Sequence, residues 1–129
     1  MKTRRQSGFT IIELLVIVVV MGILLSLSVF AYGDWRLRTA RNEVQSNLTQ
    51  LRSAMENARN FDNVYPATIP ASYDGSSTVT TTLVTLAGGT AYCARGQSTA
   101  RSTVIYYINL PNTPDPTTTK PGTAECSTL

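Results

Sequence analysis

The spacing of hydrophobic and polar residues changes sharply along the chain. A run of 19 uncharged, mostly apolar residues extends from Leu14 to Tyr32, which falls within the range of about 17–25 residues that spans a bilayer as a helix. After Asp34 the pattern becomes amphipathic, with apolar residues three or four positions apart. These residues are Leu37, Ala40, Val44, Leu48, Leu51, Met55 and Ala58.

Both patterns belong to one predicted helix. Between residues 9 and 60 the only strong helix breakers are Gly22 and Gly33, and isolated glycines are tolerated in helices at a modest cost. We therefore predict a continuous helix whose first half is apolar and whose second half is amphipathic. Two helices hinged at Gly33 are the alternative.

The remainder of the chain predicts a small β-rich head. Proline, glycine and short polar residues from Phe61 to Ser77 indicate a loop, in which Tyr65 and Ile69 are expected to pack on the helix. Strands are predicted where β-branched and aromatic residues concentrate. The segments are residues 78–86, 90–95 and 103–110, with turns at Gly88-Gly89 and over residues 96–102.

Closely connected strands pair antiparallel, so the predicted fold class is α+β, with the long amino-terminal helix packed against a small antiparallel sheet. From Pro111 onward, proline, threonine and asparagine dominate. This composition predicts an extended, exposed loop with no core of its own.

Charges are placed unusually around the apolar run. Lys2, Arg4 and Arg5 precede it, and Glu13 lies within its first turns. A basic head before an apolar run is typical of a signal peptide or signal anchor. Neither needs a carboxylate in the apolar stretch, where a central Asp costs roughly 2.5–3.5 kcal/mol. Glu13 therefore either reaches water at the membrane edge or has its charge paired within an assembly.

The residues Gly8-Phe9-Thr10-Ile11-Ile12-Glu13-Leu14-Leu15-Val16, followed by Met21-Gly22-Ile23-Leu24, resemble the class III signal of bacterial type IV pilins and pseudopilins. The resemblance covers about the first 30 residues. It implies that a prepilin peptidase cuts between Gly8 and Phe9 and methylates the new amino group of Phe9. The implied organisation is a leader at 1–8, a transmembrane and filament-core helix at 9–32, the amphipathic half of that helix at 33–60, and a head at 61–129.

Cleavage would give Glu13 a partner. The new amine of Phe9 would lie four residues before Glu13, on the same helix face. In a stacked filament, the amine of one subunit can neutralise Glu13 of a neighbour, and a buried charge is tolerated when it is paired. Many major pilins carry a proline about where Phe30 stands here, and its absence slightly favours a minor pilin or a pseudopilin.

The resemblance also implies partners and a location. The partners are prepilin peptidase, other pilin subunits in a helical filament and an inner-membrane assembly platform. The chain would first cross the inner membrane once, with its head on the extracytoplasmic side, and would then enter an extracellular pilus or pseudopilus. Without Lys2, Arg4 and Arg5 the 11 basic residues fall to 8, equal to the 8 acidic ones, so the net charge of +3 indicates membrane topology.

Cys93 and Cys126 lie in the part of the chain that the leader sends across the membrane. A disulfide is favoured in an oxidising compartment, and their spacing matches no Cys-x-x-Cys zinc or redox motif. The pair resembles the disulfide that bounds a carboxyl-terminal loop in the pilin family. Two free structural thiols are the alternative.

No catalytic, metal-binding or cofactor-binding constellation is present in the sequence. Histidine is absent, which removes the commonest general base and imidazole ligand. The acidic residues of the head are scattered, so we predict a structural protein and no enzyme.

Three functions stay open: a subunit of a type IV pilus or of a type II secretion or DNA-uptake pseudopilus, a simple signal-anchored surface protein, and a specialised adhesin or DNA-binding minor pilin. The last would use a basic and aromatic surface. Its candidate residues are Arg95, Arg101, Lys120, Tyr92, Tyr106 and Tyr107. With only three spaced cations, a solvated face is the better interpretation.

Overall fold

The computed structural model describes residues 8–122 and 126–129. The elements in chain order are α1 (Ile11–Asp62), β1 (Val79–Thr85), β2 (Tyr92–Ser98), β3 (Ile105–Leu110) and β4 (Thr113–Thr117), with a short 3₁₀ turn at Ala87–Gly89 between β1 and β2. The strands form one antiparallel sheet in the order β1-β2-β3-β4. The predicted α+β class is confirmed.

The helix α1 is continuous through Gly33, as predicted. It ends where Asn63 adopts a positive φ of 58° and donates its backbone N–H to the carbonyl of Arg59 at 2.7 Å. Asparagine is one of the few residues that adopt this left-handed conformation at low cost. Within the chain, the residues up to Arg36 and the residues from Leu37 onward form two separate compact units.

The second unit, which we call the head (Leu37–Leu129), has one hydrophobic core. The amphipathic half of α1 supplies Val44, Leu48, Leu51 and Met55, all fully buried, and the predicted stripe is therefore confirmed. From the sheet, alternate residues of β2 and β3 complete the core, since successive side chains of a strand point to opposite faces. They include Tyr92, Ala94, Ile108 and Leu110.

The prediction of a turn over residues 96–102 is wrong for its first three residues, because β2 continues to Ser98. Gly96 faces the helix, where a Cβ atom would lie 2.9 Å from Cγ1 of Val44 and 3.1 Å from Cγ of Leu48. The glycine therefore marks the place where helix and strand approach closely. It does not mark a turn.

The prediction of an unstructured tail after Pro111 is also wrong, since β4 pairs with β3. Pro114 and Pro116 lie in this strand. Proline lacks a backbone donor and is tolerated in a sheet at its edge, where one side of the strand needs no partner. Arg52 of α1 fastens β4 through contacts of 3.4 Å with the carbonyl of Pro114 and the carboxylate of Asp115.

The loop after α1 follows its prediction in part. Tyr65 is buried and its hydroxyl donates to Oε1 of Glu56 at 2.7 Å, as expected of a residue packed on the helix. Ile69 is 37% exposed, and its packing on the helix stays a prediction. The Gly88-Gly89 turn is confirmed, with φ values of 81° and 64° that favour glycine.

Candidate processing and assembly segment

The residues that carry the family resemblance meet at the start of α1. The backbone N–H of Glu13 donates to Oγ1 of Thr10 at 3.3 Å, and the N–H of Leu14 donates to the Thr10 carbonyl at 3.2 Å. Thr10 is therefore the N-cap of the helix, and Glu13 occupies its third position. Thr-x-x-Glu is the capping-box pattern, so the start of the helix was also predictable from the sequence.

The Gly8–Phe9 peptide bond precedes the helix. Residues 8–10 have no helical assignment, and Phe9 is 76% exposed. A Cβ atom on Gly8 would meet no heavy atom within 4 Å. The described part of the chain therefore gives no packing reason for a glycine at this position. The predicted leader lies, except for Gly8, outside the described residues.

Downstream of this bond, the apolar half of α1 has no cover within its own unit. Every large apolar side chain from Phe9 to Trp35 is at least 43% exposed. The helix is long and apolar enough to cross a membrane. The hydroxyls of its two serines have hydrogen-bond partners within the helix, because Ser26 and Ser28 donate to the carbonyls of Ile23 and Leu24. An exposed apolar surface of this size indicates contact with lipid or with other helices.

Aromatic rings and a cation follow the apolar run. The rings of Tyr32 and Trp35 lie 5.9 Å apart, and the guanidinium of Arg36 lies 5.5 Å from the centre of the Tyr32 ring. Tyrosine and tryptophan are enriched where a membrane meets water. This pattern agrees with an apolar segment that ends near residue 32.

In the head, a disulfide bond joins Cys93 to Cys126, with Cα atoms 5.9 Å apart. Both residues are fully buried. Cys93 lies between Tyr92 and Ala94 of the core, so it points to the opposite face of the sheet, where Asn109 is its cross-strand neighbour. The bond therefore fixes the carboxyl-terminal residues to the sheet face that points away from α1.

The structure removes Tyr92 from the basic and aromatic surface considered for nucleic acid. Tyr92 is fully buried, and its ring packs edge-on against Tyr65 at 4.8 Å. Tyr106 packs against the core, and the guanidinium of Arg95 donates to the side-chain carbonyl of Gln97. Tyr107 lies opposite Arg95 in the sheet, and Arg101 and Lys120 are exposed.

Asn47 is a structural residue that the sequence analysis missed. It is buried, its amide donates to the carbonyl of Glu43 at 2.9 Å, and its Oδ1 accepts hydrogen bonds from the Tyr73 hydroxyl at 3.2 Å and the Ser76 N–H at 2.8 Å. No periodicity identifies a buried asparagine on a helix. Because these bonds occupy its side chain, the Asn-x-Thr triplet at residue 47 is not an accessible glycosylation site in the folded head.

Within residues 8–122 and 126–129, no group of three or more His, Cys, Asp or Glu side chains is arranged to hold a metal ion. The functional groups of the segment at the start of α1 are of another kind. It offers an accessible peptide bond, a potential amine and one carboxylate at the start of an exposed apolar helix.

Comparison with known proteins agrees with the resemblance of the amino-terminal residues to pilins and pseudopilins. Residues 3–29 match the prokaryotic N-terminal methylation motif. This motif and the α+β fold make the chain similar to pilin-like proteins.

Its homologues are type II secretion pseudopilins and type IV fimbrial pilins. The chain is 35% identical over 68 residues to type II secretion system core protein G of Aeromonas hydrophila, over 53% of this chain and 48% of the relative. It is 36% identical over 55 residues to a fimbrial protein of Pseudomonas aeruginosa, over 43% and 36% of the two chains. With the type IV major fimbrial protein FimA of Dichelobacter nodosus, identity is 37% over 51 residues, or 40% and 33%.

The chain thus spans about half, or less, of the length of these curated relatives. No solved structure matches it. The motif and the homologues support the expectation of a structural, non-enzymatic protein.

Proposed function

We propose that this chain is a structural subunit of a type IV pilus or of the related type II secretion pseudopilus. One observation carries the proposal: the methylation motif, residues 3–29, includes the capped start of a helix whose apolar half is exposed along its whole length. A simple anchor explains the exposure by lipid. If the chain is a subunit, lipid covers this apolar surface before assembly and neighbouring helices cover it afterwards. A subunit also accounts for the motif.

In this proposal the chain is processed before it assembles. Prepilin peptidase cuts the Gly8–Phe9 bond on the cytoplasmic side and methylates the amino group of Phe9. The apolar helix stays in the inner membrane, with the head on the other side, until an assembly platform moves the subunit into the filament. The accessible, non-helical Gly8–Phe9 bond supports this order.

Glu13 has the assembly role. Among the described residues no side chain pairs with its carboxylate, so a neutralising partner has to come from another chain or from water. The methylated amine of Phe9 on a neighbouring subunit is a partner of the right charge. Glu13 also occupies the third helical position, where its backbone N–H bonds to Thr10 and where a glutamate side chain can serve a capping box. A capping role and the assembly role have to be separated by experiment.

Two substitutions separate them. Glu13→Val removes both the charge and the capping side chain, whereas Glu13→Gln removes the charge and keeps a residue that serves a capping box. We expect both variants to be cleaved and to reach normal membrane levels, and both to be missing from sheared filaments. The reason is that a buried amine without its partner costs about 3–5 kcal/mol. Immunoblots of sheared and membrane fractions measure both quantities.

If Glu13→Gln enters filaments as well as the wild type does, the carboxylate acts only as a cap and the proposed charge pair is wrong. If both variants enter filaments, Glu13 has no assembly role. Loss of membrane insertion in either variant would contradict the topology, because removing a charge from an apolar segment should not impair insertion.

The processing step is tested at Gly8. We expect Gly8→Val to leave the precursor uncut, since a branched side chain next to the scissile bond hinders the peptidase. Gly33→Val is the matched control, because an added Cβ meets no heavy atom within 4 Å at either glycine. Intact-mass measurement of the wild type should find a chain that begins at a methylated Phe9. Any other amino terminus would refute the cleavage site.

A further inference from the structure

The two edge strands of the sheet differ in how well they are protected. An edge strand presents unpaired backbone N–H and C=O groups, and proteins block such edges with proline, charge, irregular pairing or short length. β4 is protected, since it is five residues long, contains Pro114, Asp115 and Pro116, and pairs with β3 in an irregular register. β1, at the other edge, is seven residues long, has no proline or charge, and pairs with β2 in a continuous register.

The hydrogen bonds at the two ends of β1 show which of its backbone groups face the open edge. The carbonyl of Thr78 accepts from the N–H of Thr99 at 2.9 Å, and the N–H of Leu86 donates to the carbonyl of Ala91 at 3.0 Å. In an antiparallel pair, every second residue bonds to the neighbouring strand. The even-numbered residues of β1 therefore bond to β2, and the odd-numbered residues direct their N–H and C=O groups to the open edge.

Three of these odd-numbered residues have free edge groups. The N–H of Val79 donates to the carbonyl of Ser76 at 3.1 Å, which agrees with its direction away from β2. For the next three, no group within residues 8–122 and 126–129 bonds to the backbone N–H or C=O at the edge. They are Thr81, Leu83 and Thr85. Three N–H and three C=O groups thus alternate over about 14 Å of edge, at about 3.4 Å per residue.

The loop between α1 and β1 bonds to residues 81–85 through threonine hydroxyls. The hydroxyl of Thr85 donates to the carbonyl of Pro66 at 2.7 Å, and the hydroxyl of Tyr73 lies 3.0 Å from Oγ1 of Thr81. Both threonines share the side-chain direction of Leu83, which packs against the core, because alternate residues of a strand point to one face. The loop therefore follows the helix-facing side of β1 and leaves the edge bonds unmade.

We propose that the open edge of β1 binds an extended strand of a different protein chain, which adds to the sheet as a fifth strand. The unmade bonds define this partner, because only another extended backbone offers alternating N–H and C=O groups at a two-residue spacing of about 6.8 Å. The edge carries no charge, so an uncharged segment fits it. The partner needs an N–H at each residue that faces β1, which excludes proline there.

A second copy of this chain fits the edge less well. Its β4 edge is blocked by proline, as described above. Two β1 strands can pair antiparallel, but the two-fold axis of that pair is normal to the sheet. The helices packed on the two sheets would then start in opposite directions, which two chains anchored with their heads on one side of a membrane cannot do. The choice of a different chain therefore rests on the proposed function, whereas the open edge does not.

The test is amide hydrogen exchange, measured by NMR on the ¹⁵N-labelled full chain in detergent micelles. The probe is a synthetic peptide as long as β1 that alternates threonine and valine and carries a solubilising tail. The control peptide has the same side chains and is N-methylated throughout, so it has no backbone donors. In the free chain, we expect the amides of Thr81, Leu83 and Thr85 to exchange faster than those of Thr82 and Val84. The probe should slow these three about tenfold when about nine-tenths of the chain is occupied.

A pair of variants at one residue tests the edge directly. Thr81→Pro removes one edge donor and places a ring in the path of the added strand, and proline is tolerated where the sheet does not use the N–H. We expect it to weaken binding of the probe about fivefold or more, the worth of at least one hydrogen bond. Thr81→Val is the matched control, since it loses the hydroxyl near Tyr73 and keeps the edge N–H. It should bind the probe as the wild type does.

The wild-type chain and the two peptides decide the inference even if Thr81→Pro does not fold. Slow exchange of Thr81, Leu83 and Thr85 in the free chain would show that the edge is already closed and would refute the proposal. Equal slowing by both peptides, or by neither, would refute strand addition. If exchange at these residues slows with rising protein concentration and sedimentation finds a dimer, the partner is a second copy and the proposed partner is wrong. Failure of cleavage or of filament entry would refute the proposed function and would leave these measurements unchanged.

Discussion

Both halves of α1 contain leucines, but these leucines lie in opposite environments. Leu24, in the apolar half, is 59% exposed, whereas Leu48, in the amphipathic half, is fully buried. Leu48 packs against a sheet that belongs to the same chain, and Leu24 has no such sheet. Burial in the second half is therefore complete within one molecule, and burial in the first half has to be supplied by lipid or by other subunits.

This difference explains how one continuous helix can serve two stages. A helix that is apolar all round suits a membrane or the interior of an assembly, whereas a single apolar stripe suits one sheet. The head, with its own core and disulfide, has no need of the apolar half for its stability. Under the proposed function, we expect the apolar half to exchange lipid for neighbouring helices while the head stays folded.

The comparison is tested most strongly by truncating the same residue type in both halves. We expect Leu48→Ala to lower the free energy of unfolding of the head by about 2–5 kcal/mol, since it removes buried atoms and leaves a cavity. Leu24→Ala should change the stability of the head by less than about 0.5 kcal/mol, as is usual for exposed positions. Urea unfolding of the detergent-solubilised full chain, followed by circular dichroism above 250 nm, measures both.

An equal loss of stability in the two variants would show that the apolar half is part of the folding unit of the head. It would contradict the contrast between the two halves of α1.

The disulfide gives a second, smaller effect. Cys93 and Cys126 enclose a long segment of the head, with a sequence separation of 33. Replacing both by serine should lower the free energy of unfolding by about 3–4 kcal/mol on the chain-entropy estimate, or less if the unfolded chain stays compact. The same replacement should leave insertion of the apolar half unaffected. Peptide mapping of the exported protein without reductant should recover the linked peptides, and two freely alkylated thiols would contradict the bond.

The sequence predicted these two regions with unequal success. The apolar run and the stripe from Ala40 to Met55 were predictable because each follows from spacing alone. The end of β2 at Ser98 was missed because Gly96 was interpreted as a turn residue. Its role depends on Val44 and Leu48, which lie about 50 residues earlier in the chain.

The other errors have similar causes. The strand β4 was missed because Pro114 and Pro116 argue against a central strand and say little about an edge strand. Tyr92 was assigned to a surface because the residues of β2 do not alternate clearly between apolar and polar types. In the structure almost all of them are buried, including Cys93. At the amino terminus, Gly8, Phe9 and Glu13 were predicted from a local motif, whose residues are adjacent in the sequence and do not depend on distant packing.

Tyr92 gives the last test, with the smallest expected effect, of whether the core of the head excludes water. Its hydroxyl is buried without a hydrogen-bond partner among the described residues. Burial, and secondarily the nearby Tyr65 and Glu56, raise the pKa of Tyr92 well above its ordinary value. Burial and the bond to Glu56 also raise the pKa of Tyr65. Both groups are therefore neutral in the folded head at pH values where an unfolded tyrosine ionises.

Below a pH of about 10, the tyrosine pKa in an unfolded chain, both states keep these protons and stability should not depend on them. Above it the unfolded state loses its protons first, so stability should fall as pH rises, by up to about 1.4 kcal/mol per pH unit for each tyrosine. We expect Tyr92→Phe to make this alkaline decline shallower. At pH 7 it should leave stability unchanged or raise it by up to about 1 kcal/mol, because an unpaired buried hydroxyl is removed. Tyr65→Phe should also reduce the decline, but it should lower stability at pH 7 by about 1 kcal/mol through the lost bond to Glu56. Urea midpoints at pH 7, 10 and 11 compare the three proteins, and a decline in Tyr92→Phe as steep as in the wild type would show that water reaches this part of the core.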